Sequence, residues 1–516
     1  MTQINEILKN YYGYDSFRPG QKEIIYNIMR GRDVCAIMPT GAGKSLCYQI
    51  PAIAMKGITL VISPLISLMQ DQVRILKSVG VPAAYINSSL TPRQTELALS
   101  RAMMGMYKLI YVAPERLLTK NFLSFAVNAD ISLVAVDESH CISMWGQEFR
   151  PSYRKISDFT HQLKKRPVVA AFTATADSTV KNDIINKLEL VSPYCLTTSF
   201  DRPNLYFGTL SFDSGGTSLD DSRIKYITDY VCEHKDESGI VYCLTKKDTE
   251  LAAQILRDNG CRARAYHAGM PSEERRIIQE DFTFGRTKVI AATSAFGMGI
   301  DKPDVRYVLH YGMPARIEDY YQQAGRAGRD GEPSECILLY SYRDYYIIKE
   351  YFILRERGDD EKKQDGLTDE EREEYICAQL EALDKMKNYA VSKRVCLRRR
   401  LVEYFGEKIG STCKNCSVCL GDINRRSGNQ EKLKLSEYDE ELYIRLKAKA
   451  KVLSIRYGIP VFAVADDKTI MELVREKPQN ETQLRRINGF GTVKIRQYGS
   501  DFLDVIRDYT KTKQNK

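Results

Sequence analysis

Val34-Cys-Ala-Ile-Met-Pro-Thr-Gly-Ala-Gly-Lys-Ser45 is a short apolar run, a glycine-rich turn and the start of a helical pattern. That order is what a phosphate-binding loop needs. Backbone N–H groups from Thr40, Gly41, Ala42 and Gly43 close around phosphates, Lys44 reaches the β and γ positions, and Ser45 offers a hydroxyl to Mg²⁺. Met38 stands where the general pattern has its first glycine, so the strict pattern is not met. Some ninety residues on, a second apolar run ends in adjacent carboxylates within Val134-Ala-Val-Asp-Glu-Ser-His-Cys-Ile-Ser-Met-Trp-Gly-Gln-Glu-Phe-Arg-Pro151. Asp137 is expected to hold Mg²⁺ and Glu138 to orient an attacking water. The pair turns an isolated glycine turn into a nucleotide-hydrolysis site.

Apolar runs alternate with helical patterns on either side: Val34–Met38, Ile58–Ile62, Leu109–Val112, Leu133–Val136 and Val168–Phe172, then Gly239–Cys243, Ala263–Tyr266, Val289–Ala292, Val305–Leu309 and Cys336–Tyr340. Runs without polar alternation suit strands buried on both faces of a parallel α/β sheet. One architecture is used twice. The fold class is therefore α/β, two parallel-sheet lobes, followed by a small helical cysteine-bearing module and an all-α domain. The expected boundaries are 1–205, 206–342, 343–425, a linker over 426–437, and 438–516. Residues 213–221 read as a mobile surface loop.

The chain has 516 residues, 43% apolar and 28% charged, with a net charge of +9. This composition suits several globular domains, and the charge leans mildly toward a polyanionic partner. No run approaches the ~18 apolar residues of a membrane span. Met1–Tyr12 is polar, without the apolar core of a secretory signal, so a cytoplasmic chain with reduced cysteines is expected.

Other segments complete the nucleotide site. Tyr14-Asp-Ser-Phe-Arg-Pro-Gly-Gln21 would place Tyr14 and Arg18 on the faces of adenine and Gln21 at its edge. Gln322-Gln-Ala-Gly-Arg-Ala-Gly-Arg329 carries Arg326 and Arg329, either of which suits an arginine finger reaching the γ-phosphate across a cleft. Trp145, the only tryptophan, and Phe149 and Arg150 sit in a polar stretch, which suits an exposed loop that stacks on bases.

Together these motifs resemble superfamily 2 helicases, specifically the RecQ family of DNA helicases. Phe17-Arg-Pro-Gly-Gln21, Met38–Pro51, Ser63-Pro-Leu65, Tyr111–Arg116, Phe172-Thr-Ala-Thr-Ala176, Phe200-Asp-Arg-Pro-Asn204, Tyr266-His-Ala-Gly269, Ala295–Pro303 and Gln322–Asp330 match in order. The resemblance implies two RecA-like lobes with ATP between them and 3′–5′ translocation on single-stranded DNA. Gln322 would join the ATP site, Thr173 and Thr175 would couple the lobes, and Ser63, Arg116 and His267 would lie near the DNA backbone. Trp145, Phe149 and Arg150 would form the DNA-sensing loop. The chain departs from the family pattern at Ser139, Met144, Gln147, Glu148 and Gln323. None of these removes a Mg²⁺ ligand, Lys44 or an arginine. Hydrolysis is expected, with altered coupling to DNA.

Cys396, Cys413, Cys416 and Cys419 have the spacing of a closed tetrahedral Zn²⁺ site, and RecQ proteins carry a zinc module at this place. Lys393, Arg394, Arg398, Arg399, Arg400, Lys408 and Lys414 surround it and suit phosphate contacts. Residues 438–512 resemble an HRDC domain, with Ile487–Ile495 as a helix–turn–helix element and Lys447, Lys449, Lys451, Lys494 and Arg496 as phosphate contacts. The short stretch between Cys419 and that domain leaves no room for the winged helix many RecQ proteins place there, so a duplex-splitting wedge must come from elsewhere.

The reading is an ATP-, Mg²⁺- and Zn²⁺-dependent 3′–5′ DNA helicase of repair and recombination, acting as a monomer. It would act on single-stranded and tailed or forked DNA, beside single-strand-binding and repair proteins, at the bacterial nucleoid. The alternatives are an RNA helicase, or an annealing or docking protein with a weak motor.

Overall fold

The computed structural model describes residues 2–39, 41–145, 149–212, 219–297, 302–354, 368–421, 437–459 and 461–514. Thr40, Gln147 and Glu148 lie outside these residues, as do most of the 213–221 loop and the 426–437 linker except Glu437. Leu219 to Asp221, assigned to that loop from sequence, already belong to a helix, Leu219–Glu233.

The first lobe is a seven-stranded, all-parallel sheet. Its strands are β1 (Val34–Ile37), β2 (Ile58–Ile62), β3 (Ala83–Ile86), β4 (Leu109–Val112), β5 (Ile131–Val136), β6 (Val168–Thr173) and β7 (Tyr194–Thr197), in spatial order β3-β4-β2-β5-β6-β1-β7. Alternate residues of one strand feed opposite faces. Val34 and Ala36 join one buried cluster, and Cys35 and Ile37 the other. Two covered faces explain the unbroken apolar runs. The edge strand β7 is only half covered and escaped the apolar-run reading.

The second lobe repeats the plan with β8 (Leu205–Ser211), β9 (Ser238–Tyr242), β10 (Ala263–Tyr266), β11 (Val289–Ala292), β12 (Val305–His310) and β13 (Ser334–Tyr340), in the order β10-β11-β9-β12-β13-β8. A buried ion pair at 2.7 Å, Arg223 to Asp344, ties its first helix to the helix Tyr342–Ile347 after β13, and the same guanidinium donates to the Tyr311 carbonyl. Removing one partner of such a pair costs about 3–5 kcal/mol, because the other is left buried and unpaired.

Among the described residues the cysteine module has no separate core. Cys396, Leu397, Leu401 and Cys416 belong to the same buried cluster as Phe207 and Tyr320 of the second lobe. Its turn caps the sheet edge: Cys416 bridges Phe207 on β8, and Ser417 N–H donates to the Phe207 carbonyl at 2.9 Å. An edge strand covered in this way is protected from pairing with another chain. Arg398, assigned from sequence to a phosphate-facing surface, is buried here and donates to the carbonyls of Pro203 and Leu205.

Residues from Glu437 onward form a helical bundle with its own core around Leu446, Leu473, Phe490 and Phe502. No described helix is long and apolar enough to cross a membrane.

Candidate ATP and DNA site

The phosphate loop follows β1, and the acidic pair follows β5, so both stand at the carboxyl ends of parallel strands, where α/β sheets bind ligands. Gly41 and Gly43 take φ of +87° and +80°, a region that side chains avoid. Gly43 precedes the helix Lys44–Ala54, whose N-terminus points its free N–H groups at the loop. Lys44 Nζ reaches back 3.3 Å to the Met38 carbonyl across the space the loop encloses. The Gln21 amide is buried and donates to the Ala42 and Gly43 carbonyls at 3.2 and 3.0 Å, and Arg18 donates to the Gly41 carbonyl. Gln21 and Arg18 thus brace the loop itself. An adenine-edge bond from Gln21 would require its amide to leave these carbonyls. Tyr14 is exposed.

Asp137 is buried, its carboxylate accepting from the Glu138 N–H at 3.0 Å. Burial, and then the neighbouring Glu138, push its carboxyl up to about 7, while Lys44 pulls the other way. Two carboxyl groups crowded in a dry site favour a cation between them and the loop. The Ser45 hydroxyl, in the first turn of the helix after the loop, adds an oxygen donor of the kind that suits Mg²⁺. Glu138 takes left-handed backbone, φ +47°, the kind of strain that concentrates at functional sites. His140 Nδ1 lies 3.4 Å from Glu138 Oε2 and 2.9 Å from Thr173 Oγ1, and the Thr173 hydroxyl donates to the Thr175 carbonyl. A short chain of polar contacts therefore joins the acidic pair to Thr173 and Thr175.

The second lobe reaches this site. A Cβ on Gly41 would lie 3.4 Å from Arg329 Cγ and 3.4 Å from Arg202 Nη1. Arg326 behaves differently: it is buried within its own lobe, its charge beside the Tyr242 phenol and its Nη2 near Gly297. Of the two arginines read from sequence, Arg329 is the one brought against the phosphate loop. Gln322 is buried on the helix Ile317–Ala324 that leads into the arginine turn.

Arg202 was not singled out from sequence. It donates to the Ala327 and Gly328 carbonyls at 3.0 and 2.8 Å, and Asn204 Nδ2 to Gly328 and Glu332. Phe200–Asn204 thus clamps the arginine turn. The available signal was an Asp-Arg-Pro-Asn immediately before a lobe's first strand.

The expected DNA-facing residues are less uniformly open. Ser63 and His267 are buried, with His267 Nε2 3.0 Å from Glu250 Oε1. Arg150 donates to the Pro64 carbonyl at 3.3 Å, which places the aromatic loop beside Ser63-Pro-Leu65. Phe149 is half-exposed under the Arg154 guanidinium, and Arg116 is half-exposed. Trp145 departs from the exposed-loop expectation. It is half-buried against the first lobe's core, because a large ring beside that core covers apolar surface there.

Cys413 and Cys419 sulfurs are 3.9 Å apart, as are Cys416 and Cys396, and all four lie within 4.8 Å of one another. Zn–S bonds of ~2.3 Å put tetrahedral sulfurs at about that separation. Backbone N–H groups of Arg399, Asn415 and Cys419 point at the sulfurs, the arrangement that stabilises thiolate.

The DEAD/DEAH box helicase family matches residues 18–183, the helicase conserved C-terminal domain 222–331, the RecQ zinc-binding family 355–420 and the HRDC domain 439–506. The ATP-dependent DNA helicase RecQ of Bacillus subtilis (strain 168) is 34% identical, over 99% of each chain. The chain belongs to the RecQ family. A RecQ helicase of Pasteurella multocida (strain Pm70) is 31% identical over 98% of this chain and 94% of its own. The Bacillus RecQ alignment runs to 611 positions against 516 residues here, so that RecQ carries residues without a counterpart in this chain. Among solved structures, Mycobacterium smegmatis Lhr, bound to single-stranded DNA and AMP-PNP, superposes at TM-score 0.53 with 16% identity over 90% of this chain and 72% of that one. Mss116p, bound to single-stranded RNA and AMP-PNP, gives 0.56 at 16% identity over 89% and 86%. These two share the fold of this chain.

Proposed function

We propose that this RecQ chain is an ATP-dependent DNA helicase of repair and recombination that moves 3′ to 5′ on single strands. The observation that carries the reading is Arg329 of one lobe packed against Gly41 in the phosphate loop of the other. Helix N-terminus, loop amides and Lys44 hold the phosphates. Asp137 and Ser45 hold Mg²⁺, which supplies charge neutralisation on the phosphate oxygens when bound. Glu138 orients the attacking water and takes its proton. Arg329 offsets the charge that develops on the transferring phosphoryl group. Arg202 holds the turn that presents Arg329. Tyr14 and Arg18 flank the base. Cys396, Cys413, Cys416 and Cys419 hold Zn²⁺ as a closed structural site that stiffens the edge of the second lobe.

Hydrolysis is coupled to DNA through the contacts from Glu138 to His140 and Thr173, and through Arg150 to Pro64 beside Ser63. Phe149, Trp145, Arg116 and His267 complete the proposed DNA contacts. The test is steady-state ATP hydrolysis with no nucleic acid, with oligo-dT and with oligo-U. Strong stimulation by DNA and little by RNA is expected. Equal rates in all three would overturn the coupling.

A further inference from the structure

The helix Tyr342–Ile347 and the turn after it carry an unusual density of exposed rings on a lobe that otherwise buries its aromatics. Tyr342 and Tyr346 are each 53% exposed, Tyr351 62% and Phe352 49%. Tyr342, Tyr345 and Tyr346 are spaced to share one helix face. Tyr342 and Tyr345 stack on each other with centroids 5.6 Å apart. The Tyr345 hydroxyl donates to Asp384 at 2.8 Å, which fixes that ring against the long helix Asp369–Ala390.

A cation sits over these rings. Lys387 Nζ is 4.7 Å from the Tyr345 centroid and 5.6 Å from that of Tyr342. The next residue, Asn388, opens a cavity of about 510 Å³ lined by Val391, Ser392, Lys393, Arg394, Val395 and Arg400. The lining holds three cations and no carboxylate. Arg400 is fixed there by a 2.6 Å hydrogen bond to the Asn388 carbonyl. The rings with a cation over them, and a basic cavity that begins at the next residue of the same helix, thus lie where the second lobe meets the zinc module.

We infer that this face is a second binding surface for single-stranded DNA, outside the cleft, with bases stacking on Tyr342 and Tyr346 and phosphates held by Lys387, Lys393, Arg394 and Arg400. Charge complementarity selects the occupant. An apolar protein face would leave the three cavity cations unpaired, whereas a single strand supplies both π-faces for the rings and anions for the cavity. Base–aromatic stacking contributes without regard to sequence, and the phosphate contacts add salt dependence. The surface gives the chain a grip on displaced strand at the module that follows the motor.

The test uses the full chain with Zn²⁺ and fluorescence anisotropy on labelled oligo-dT. Tyr342→Ala with Tyr346→Ala is expected to weaken binding about 10-fold, while Tyr342→Phe with Tyr346→Phe keeps it, because the ring and not the hydroxyl stacks. ATP hydrolysis without DNA stays unchanged in both. Lys393→Gln with Arg394→Gln should lower the slope of log affinity against log salt by roughly 0.7 for each lost contact. Zinc content and thermal midpoint report that each variant is folded. Unchanged affinity and slope in folded variants would overturn the proposal. So would altered self-association in sedimentation with unchanged DNA affinity, which would give the face to a second copy of the chain.

Discussion

Two arginines three residues apart read alike in sequence, and their surroundings separate them. Arg329 packs on the phosphate loop of the facing lobe, and Arg326 is buried beside Tyr242 in its own. Arg329→Ala is therefore expected to lower kcat for ATP by about 10³-fold with KM moved far less, as loss of an arginine finger does. Arg326→Ala should instead lower thermal stability, and comparing kcat with thermal midpoint for the pair checks the assignment. Gln323, on the helix that leads into these arginines, places its Oε1 3.0 Å from the Nε2 of buried His310. Burial pulls His310 down to about 3, with the Gln323 bond opposing. An unfolded chain binds that proton near pH 6.5, so stability is fully present above about 6.5 and is lost as pH falls toward 3, by up to about 4 kcal/mol. Denaturant titrations between pH 7 and 4 should show this loss, and His310→Gln should flatten it.

Elements were legible where their burial was uniform. Runs such as Ile58–Ile62 are covered on both faces, and β2 keeps those bounds. β7 alternates half-buried and exposed residues at the sheet edge, and its existence depends on pairing with β1, which no local pattern announces. The phosphate loop, acidic pair and cysteine cluster were legible because each is contiguous and chemically specific. Arg202 and the inward face of Trp145 were not, since both depend on distant segments meeting. The cysteine module is an element of this second kind. Its sulfurs are local, but its function is to fasten Cys416 and Ser417 to β8. Chelating zinc should therefore lower the unfolding midpoint of the second lobe as well as the module. Hydrogen exchange at Phe207 to Thr209 is the check, and unaltered protection there would show the module to be independent.

The helical bundle from Glu437 onward is seated on the motor. The turn read from sequence as part of a helix–turn–helix element packs on lobe 1: Gly489 N–H donates to the Gly13 carbonyl at 2.9 Å, and Thr492 Oγ1 donates to Asn10 Oδ1 at 3.2 Å. Lys468 reaches the Asp330 carbonyl, next to Arg329. Lys494, expected at phosphate, is half-buried, its ammonium held down to about 8 by desolvation, and donates to the Val464 carbonyl. A Cβ on Gly13 would fall 2.5 Å from the Gly489 backbone, so Gly13→Ala should undock the bundle. Faster amide exchange at Gly489, with the bundle's own core still protected, is the expected signature. At the scale of the whole molecule we infer a motor that closes on ATP through Arg329 and tracks one strand of DNA in one direction. Unwinding of duplexes with a 3′ or a 5′ single-stranded tail, at saturating ATP, tests it most directly. Strand separation is expected from the 3′ tail, none from the 5′ tail or a blunt end, and none from either tail with Arg329→Ala. Equal separation from both tails, or separation that persists in Arg329→Ala, would contradict it.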